Sequence, residues 1–266
     1  MLPYYEKDGQ TIWHGDNVAT MRNVIPDGAV DLVVTSPPYD NLRTYGGHQW
    51  DFEGVAAELW RVIKPGGVVV WVVADATVNG SETGTSFRQA LRFMEIGFRL
   101  HDTMIYLKEQ LQFPETNRYF PAFEFMFVLS KGSPRAVTLL KDRENVSAGR
   151  DVNGKQRERD GSLKDRSCDG NIIEGYGIRW NWWKIPHQKR GIETSHPASF
   201  PEALARDHIL SWSNEGDTVL DPFGGSFTTL KMAQLMGRRG IGIEVNEDYC
   251  EIGVNRLRQR VLAFQD

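Results

Sequence analysis

Two short stretches hold the residue types that could do chemistry. The first is DLVVTSPPYD, residues 31–40. Its first five residues are apolar and β-branched, as in a strand buried on both faces. Pro37 and Pro38 end the ladder, because neither donates an N–H and each restricts the residue before it. The result is a stiff loop with Ser36 and Tyr39 at its tip, at the carboxyl end of a strand, where open α/β sheets bind ligands. The second stretch is VLDPFGGSFTT, residues 219–229, which reads as strand, acid, glycine loop and helix. Glycines let the backbone approach a ligand closely, and the helix that follows offers free N–H groups. About 20 residues after Asp221, GIGIE ends on Glu244, an acid placed to accept both ribose hydroxyls of a nucleoside. This is not the dinucleotide G-x-G-x-x-G pattern, and no Walker lysine follows. Each stretch alone also admits a plain reading, as a tight turn or as a rigid Pro-Pro corner on which Tyr39 packs.

The elements that must position these loops follow from periodicity. A strand is expected over 30–34, then a helix over 54–64 with Val55, Leu59, Val62 and Ile63 on one face. KPGG (64–67) ends that helix by its Pro and Gly, and VVVWVV (68–73) reads as a buried strand. A helix over 86–95 and strands over 101–108 and 123–132 come next. From 133 to about 186 the pattern breaks into polar, Gly-rich sequence, a length of irregular chain that is uncommon unless functional or disordered. GIRWNWWKIP (177–186) closes it with Trp180, Trp182 and Trp183; alternation puts the first two on one face and Trp183 on the other, which favours packing over base contact. Helix 200–211, strand 217–221, helix 228–236, strand 240–244 and a last helix to about 262 complete a wound α/β sheet.

Composition narrows the class. Of 266 residues, 40% are hydrophobic and 25% charged, which excludes wholesale disorder. No run approaches the roughly 18 apolar residues of a membrane span, and the first ten residues lack the regions of a signal peptide. Cys168 and Cys250 lie far apart, so neither a metal site nor cysteine chemistry is expected, and a reduced, cytoplasmic compartment is the default. The net charge is -4, yet it is unevenly spread. Residues 131–190 hold 14 of the 31 Lys and Arg but 8 of the 35 Asp and Glu, leaving 17 against 27 elsewhere. A basic segment on an acidic body suits contact with a polyanion, and equally a solvated loop of mixed charge.

Taken together, TSPPY near one end and DPFGGSFTT with GIGIE near the other make the chain resemble the β-class amino-group DNA methyltransferases. In that family the catalytic motif precedes the motif for S-adenosylmethionine. HGDNVATMRNVIPDGAVDL (14–32), ELWRVIKPGG (58–67) and SHPASFPEALARDHI (195–209) match as well. The resemblance implies a Rossmann-like, S-adenosylmethionine-dependent methyltransferase sheet in circularly permuted motif order. Residues 1–132 would be its catalytic half, 133–190 an inserted target-recognition region, and 191–266 the cofactor-binding half.

What the resemblance implies for single residues is chemically coherent. The family methylates an exocyclic amino group of a flipped base, a poor nucleophile because its lone pair is delocalised into the ring. Ser36 Oγ and the Pro37 carbonyl would accept the two N–H hydrogens and draw the nitrogen toward sp³ geometry. Pro38 stiffens that carbonyl, and Tyr39 would stack on the base, offsetting part of an unstacking cost of a few kcal/mol. Asp221, Phe223, Gly224 and Gly225 would surround the methionine part of the cofactor and Glu244 would take the ribose hydroxyls. Asp16 would meet the adenine amino group, or be a plain helix cap. His196, Pro197 and Phe200 would close the pocket. Phe227 stands where the family usually has Gly, so it either alters the backbone path or covers the cofactor. Arg143, Arg150, Lys155, Arg157, Arg159 and Lys164 are candidates for DNA phosphates, with Arg43 and Tyr45 from the loop after the catalytic motif. Ser at position 36 goes more often with cytosine-N4, and Asp with adenine-N6. The implied partner is double-stranded DNA; relatives in this family are often dimers, and an orphan enzyme and the partner of a restriction endonuclease read alike in the sequence. A protein-amide methyltransferase and a non-catalytic DNA-binding descendant are the rival readings.

Overall fold

A run as apolar as residues 30–35 must be covered on both sides, and the rest of the chain is arranged to do so. The computed structural model describes residues 1–38, 50–108, 117–152, 154–165, 170–186 and 201–259. The chain divides into two compact units, Met1–Thr138 with Asn181–Asp266, and Leu139–Trp180. The first begins with β1 (Tyr5–Lys7), β2 (Gln10–His14), α1 (Asn17–Val24), β3 (Val30–Thr35), α2 (Phe52–Val62) and β4 (Ile63–Val73). A small ribbon of β5 (Thr77–Val78) and β6 (Ser81–Glu82) precedes α3 (Thr85–Ile96), β7 (Arg99–Leu107) and β8 (Phe123–Ser130). The second unit holds β9 (Arg143–Glu144), β10 (Lys155–Arg157), β11 (Leu163–Asp165) and β12 (Tyr176–Gly177). The first then resumes with β13 (Trp182–Lys184), α4 (Glu202–Trp212), β14 (Thr218–Asp221), α5 (Thr228–Leu235), β15 (Arg239–Glu244) and α6 (Glu247–Arg258).

Among the described residues the main sheet has nine strands in the order β1-β2-β15-β14-β3-β4-β8-β7-β13. Strands β2, β15, β14, β3 and β4 are parallel neighbours, while β8 runs antiparallel to both β4 and β7. Chain order reverses between β14 and β3: one continues outward to β15, the other to β4. That crevice is where a wound sheet receives its ligand. On one face Met21, Val55, Leu59 and Phe93 from α1, α2 and α3 pack on Val33, Val69 and Trp71. On the other, Leu204, Ile209, Met232 and Ala233 from α4 and α5 cover Leu32, Val34, Val70 and Val72. Asp31, at the opposite end of β3 from the loop, is buried and accepts from Lys64 Nζ at 2.9 Å, Thr218 N at 2.8 Å and the Arg135 guanidinium. One carboxylate thus ties β3, β4 and β14 together at their base.

Several expectations need correction. The helix expected over 54–64 is α2, but it stops at Val62, and Ile63 already begins β4. KPGG lies inside that strand, where Gly66 takes φ 80° and its N–H reaches the Lys131 carbonyl. The hairpin β1–β2 is not among the expected elements, although Asp8-Gly9, at φ 49° and 75°, is the dipeptide that favours such a turn, and α1 is the helix that the cap reading of Asp16 allows. The last helix ends at Arg258; the expectation beyond 259 lies outside the described residues. Trp183 is core and stacks on His208 at 4.4 Å, while Trp182 is exposed. None of the described helices is long and apolar enough to cross a membrane.

The second unit is built differently. Its ribbons β9–β12 and β10–β11 are antiparallel pairs. Val146, Leu163, Ile172 and Tyr176 stay exposed, so backbone hydrogen bonds and charge contacts hold it. Arg179 pairs with Asp142, and the Arg143 guanidinium lies 4.3 Å over the Trp180 ring.

A third core cluster joins Ile12, Leu230, Cys250, Val254 and Leu257 around Phe227, which is fully buried. The ring occupies a slot formed by three glycines: a Cβ on Gly224, Gly242 or Gly253 would come within 2.5, 2.6 or 2.2 Å of it. Phe227 therefore points away from the loop's open side and does not cover a cofactor. It does so at φ 55°, a left-handed conformation that costs a side-chain-bearing residue about 1–2 kcal/mol. Replacing it by Gly relieves that strain but leaves a cavity of the kind that costs about 3–5 kcal/mol. We predict that Phe227→Gly is net destabilised by about 1–4 kcal/mol in urea unfolding. A variant as stable as the parent would show that the slot, not the ring, sets the loop.

Candidate active site

Four neighbouring strands deliver the candidate residues to one edge of the sheet. Asp16 follows β2, Glu244 ends β15, Asp221 ends β14 and Ser36 follows β3. Parallel strands place these carboxyl ends side by side, which is why residues over 200 positions apart can meet.

The centre of the arrangement is a buried hydrogen bond. Thr35 Oγ1 donates to Asp221 Oδ1 at 2.7 Å, and the same oxygen accepts from Phe223 N at 3.1 Å. Thr229 Oγ1 reaches across to the Val34 carbonyl at 3.1 Å. The residue preceding Ser36 and the loop after β14 are thus tied directly to each other. Neither threonine was singled out from the sequence; the only signal for Thr35 is a hydroxyl at the last buried position of an otherwise aliphatic strand. Burial pushes the Asp221 carboxyl up to about 6, with the Glu244 charge adding to it and the hydrogen bonds from Thr35, Phe223 N and Thr229 pulling it back.

Glu244 organises the other side of the loop. Its Oε2 accepts from Gly225 N at 2.8 Å and its Oε1 from Asn246 N at 2.9 Å. Burial raises its pKa, against these backbone hydrogen bonds and the nearby His14. Gly224 N donates to the Ile243 carbonyl at 2.8 Å, so the loop lies along the end of β15, and Gly225 turns at φ 50°. Asn17 Nδ2 donates to the Pro222 carbonyl at 3.3 Å. Phe223 packs edge-on to Trp50 at 5.1 Å, and its ring joins the core around Trp71. Asp16 caps α1 by accepting from Ala19 N at 2.8 Å, the plain role the sequence allowed for it.

Ser36 and Pro38 are half-buried and Pro37 is buried at the end of β3. Tyr39, Arg43, Tyr45, His196, Pro197 and Phe200 lie outside the described residues. In the second unit, Arg150, Lys155, Arg157 and Arg159 are exposed. Arg143 is engaged internally: its Nε donates to the Ile178 carbonyl at 2.9 Å while its guanidinium covers Trp180. Chemically, the edge offers buried acids beside a glycine loop, and next to them a proline-stiffened hydroxyl and carbonyl. Acids of this kind suit a cation-bearing ligand, and a hydroxyl beside a carbonyl suits N–H groups.

Comparison with known proteins identifies the family. A family model described as DNA methylase matches residues 30–255. The orphan methyltransferase M.BamHII of Bacillus amyloliquefaciens is 53% identical over 252 residues, covering 92% of this chain and 95% of that one. The DNA adenine methyltransferase YhdJ of Escherichia coli (strain K12) is 30% identical, covering 95% of this chain and 84% of that one. Among solved structures, the PvuII DNA methyltransferase (cytosine-N4-specific) superposes with a TM-score of 0.72 at 22% identity, over 97% of this chain and 90% of that one; at that identity the likeness speaks for the fold. Matched along most of its length, the chain belongs to the DNA methylase family, the enzymes that methylate exocyclic amino groups in DNA.

Proposed function

We propose that the chain methylates the N4 amino group of a cytosine flipped out of double-stranded DNA, with S-adenosylmethionine as donor. The observation that carries this is the junction of Ser36–Pro37 with the Asp221 loop through Thr35. S-adenosylmethionine supplies an electrophilic methyl group. Its sulfonium and ammonium are cationic, and the strand ends between β2 and β3 present the acids Asp16, Glu244 and Asp221. Both Glu244 oxygens already accept one backbone N–H, and each keeps a lone pair for a ribose hydroxyl. The residues present therefore fit the donor.

The chain's own task is to make a poor nucleophile competent. Ser36 Oγ and the Pro37 carbonyl accept the two amino hydrogens of the base, localising the nitrogen lone pair. The prolines hold that carbonyl still, so no reorganisation is needed when the base arrives. Tyr39 stacks on the base in this reading. His196 and Pro197 complete the donor pocket in this reading. Arg150, Lys155, Arg157 and Arg159 meet phosphates, with Arg43 and Tyr45 from the catalytic loop, within a target-recognition region spanning 133–190. A cytoplasmic location, self-association and a restriction endonuclease partner belong to the same reading.

Cytosine is preferred because Ser, not Asp, leads the Pro-Pro-Tyr motif. A second reading, adenine-N6, is favoured by the 30% identical relative named as an adenine methyltransferase. The discriminating experiment incubates the protein with unmethylated DNA and S-adenosylmethionine, digests to nucleosides and identifies the product by mass spectrometry. N4-methylcytosine is expected, and Ser36→Ala is expected to abolish it while donor binding persists. N6-methyladenine would replace the first reading by the second, and near-normal turnover by Ser36→Ala would remove Ser36 from its acceptor role.

The Asp221 carboxyl also sets a pH dependence. Its ionised form favours a cationic donor, so donor affinity should hold above about pH 6 and weaken as pH falls through that value. Asp221→Asn should bind weakly at every pH, with a flat profile. Calorimetric titration between about pH 5 and 8 tests this, and a wild-type affinity independent of pH would contradict it.

A further inference from the structure

The glycine loop is held from the front by Asp221 and Glu244, but its rear is held by a residue that has no part in the site described above. Arg256, on α6, is nine-tenths buried, and its guanidinium is aimed at the back of the loop. Its Nη1 donates to the Ser226 carbonyl at 2.7 Å, to Ser226 Oγ at 2.9 Å and to Thr228 Oγ1 at 2.9 Å. Its Nη2 donates to Glu202 Oε1, at the start of α4, at 2.9 Å, and the same oxygen accepts from Lys231 Nζ of α5 at 2.8 Å. One planar cation therefore joins three helices to a single peptide unit.

That peptide is the critical one. The Ser226 carbonyl turned toward Arg256 leaves the following N–H to close the turn, and Phe227 N donates to the Gly224 carbonyl at 2.6 Å. The turn runs through Gly225 at φ 50° and Phe227 at φ 55°, a left-handed path that a residue with a side chain seldom takes unless its surroundings impose it. Gly225 N, the group that reaches Glu244, lies within this same turn. A guanidinium suits the task because its fork reaches the loop and Glu202 together, which a point-charge ammonium does not. We infer that Arg256 is a positioning residue for the methyl donor: it holds the Gly224–Phe227 turn in its binding shape without touching donor or DNA. The inference rests on the reading of that loop as the donor site.

The consequence is a separation of effects. Loss of Arg256 frees the Ser226 carbonyl, so the loop must be reordered by each donor that binds, and the cost appears in donor affinity rather than in the chemical step. The test titrates S-adenosylmethionine calorimetrically into wild type, Arg256→Gln and Arg256→Lys, and measures turnover on DNA at saturating donor. Ile209→Ala serves as the control, since it weakens the fold from within the second core cluster, to which no residue of the Gly224–Phe227 turn belongs. Arg256→Gln should raise the donor Kd by at least about tenfold with kcat at saturation within about threefold and the KM for DNA unchanged. Arg256→Lys should recover part of that loss. An Arg256→Gln Kd within about twofold of wild type, or an equal rise in Ile209→Ala, overturns the assignment. A wild type that binds no S-adenosylmethionine overturns the proposed function itself, and the assignment with it.

Discussion

The hydrogen bond from Thr35 to Asp221 is the contact on which the rest of the site depends. It joins the strand that ends in Ser36-Pro37-Pro38 to the strand that ends in the glycine loop. These strands are paired neighbours at the reversal of the sheet, and they come from opposite ends of the chain. Two reactants must be brought together for group transfer, and the gain from doing so depends on fixing their relative position. Here that position is fixed by a buried bond between a hydroxyl and a carboxylate, with Thr229 bonded to the Val34 carbonyl beside it. Asp31 performs the matching task at the base of the same strands. The Ser36-Pro37-Pro38 segment is thereby carried on a strand pinned at both ends.

The price of this arrangement is concentrated in a few buried groups. Asp221 and Glu244 would each be easier to bury as neutral side chains, and burial raises the pKa of both. They are tolerated because backbone N–H groups donate to them, Phe223 and Gly225 from the loop and Asn246 from the turn into α6. The same bonds shape the loop, so the acids serve structure before any ligand arrives. Phe227 shows a related compromise, in which a left-handed residue is accepted because its ring fills a slot that three glycines leave open.

Much of the architecture was legible in the sequence for identifiable reasons. Strand β3 is a run of aliphatic residues bounded by prolines, and α2 carries Val55, Leu59 and Val62 at helical spacing. Short elements escaped: β1 and β2 are three and five residues long, too few for periodicity to register, although Asp8-Gly9 marked their turn. KPGG reads either way because glycine and proline end a helix and also bend a strand, and the bonds of Gly66 and Gly67 to Lys131 distinguish the two. At the site, acids at strand ends stood out, whereas Thr35, Thr229 and Arg256 did not. A threonine closing a strand or an arginine in a last helix is ordinary until its distant partner is known. Phe227 was visible as a departure from the family's glycine, but the three glycines that receive its ring lie in three separate segments.

The most direct test of the account is the isosteric substitution Thr35→Val, which deletes the central hydroxyl while keeping the buried volume. Donor affinity by calorimetry and kcat at saturating donor should be measured on the same preparation, with unfolding followed in urea. If the bond aligns both halves of the site, both quantities fall, each by about tenfold or more, in a protein that still folds cooperatively. A Thr35→Val protein that folds normally and retains wild-type affinity and turnover would contradict the claim that this bond couples the catalytic strand to the donor loop.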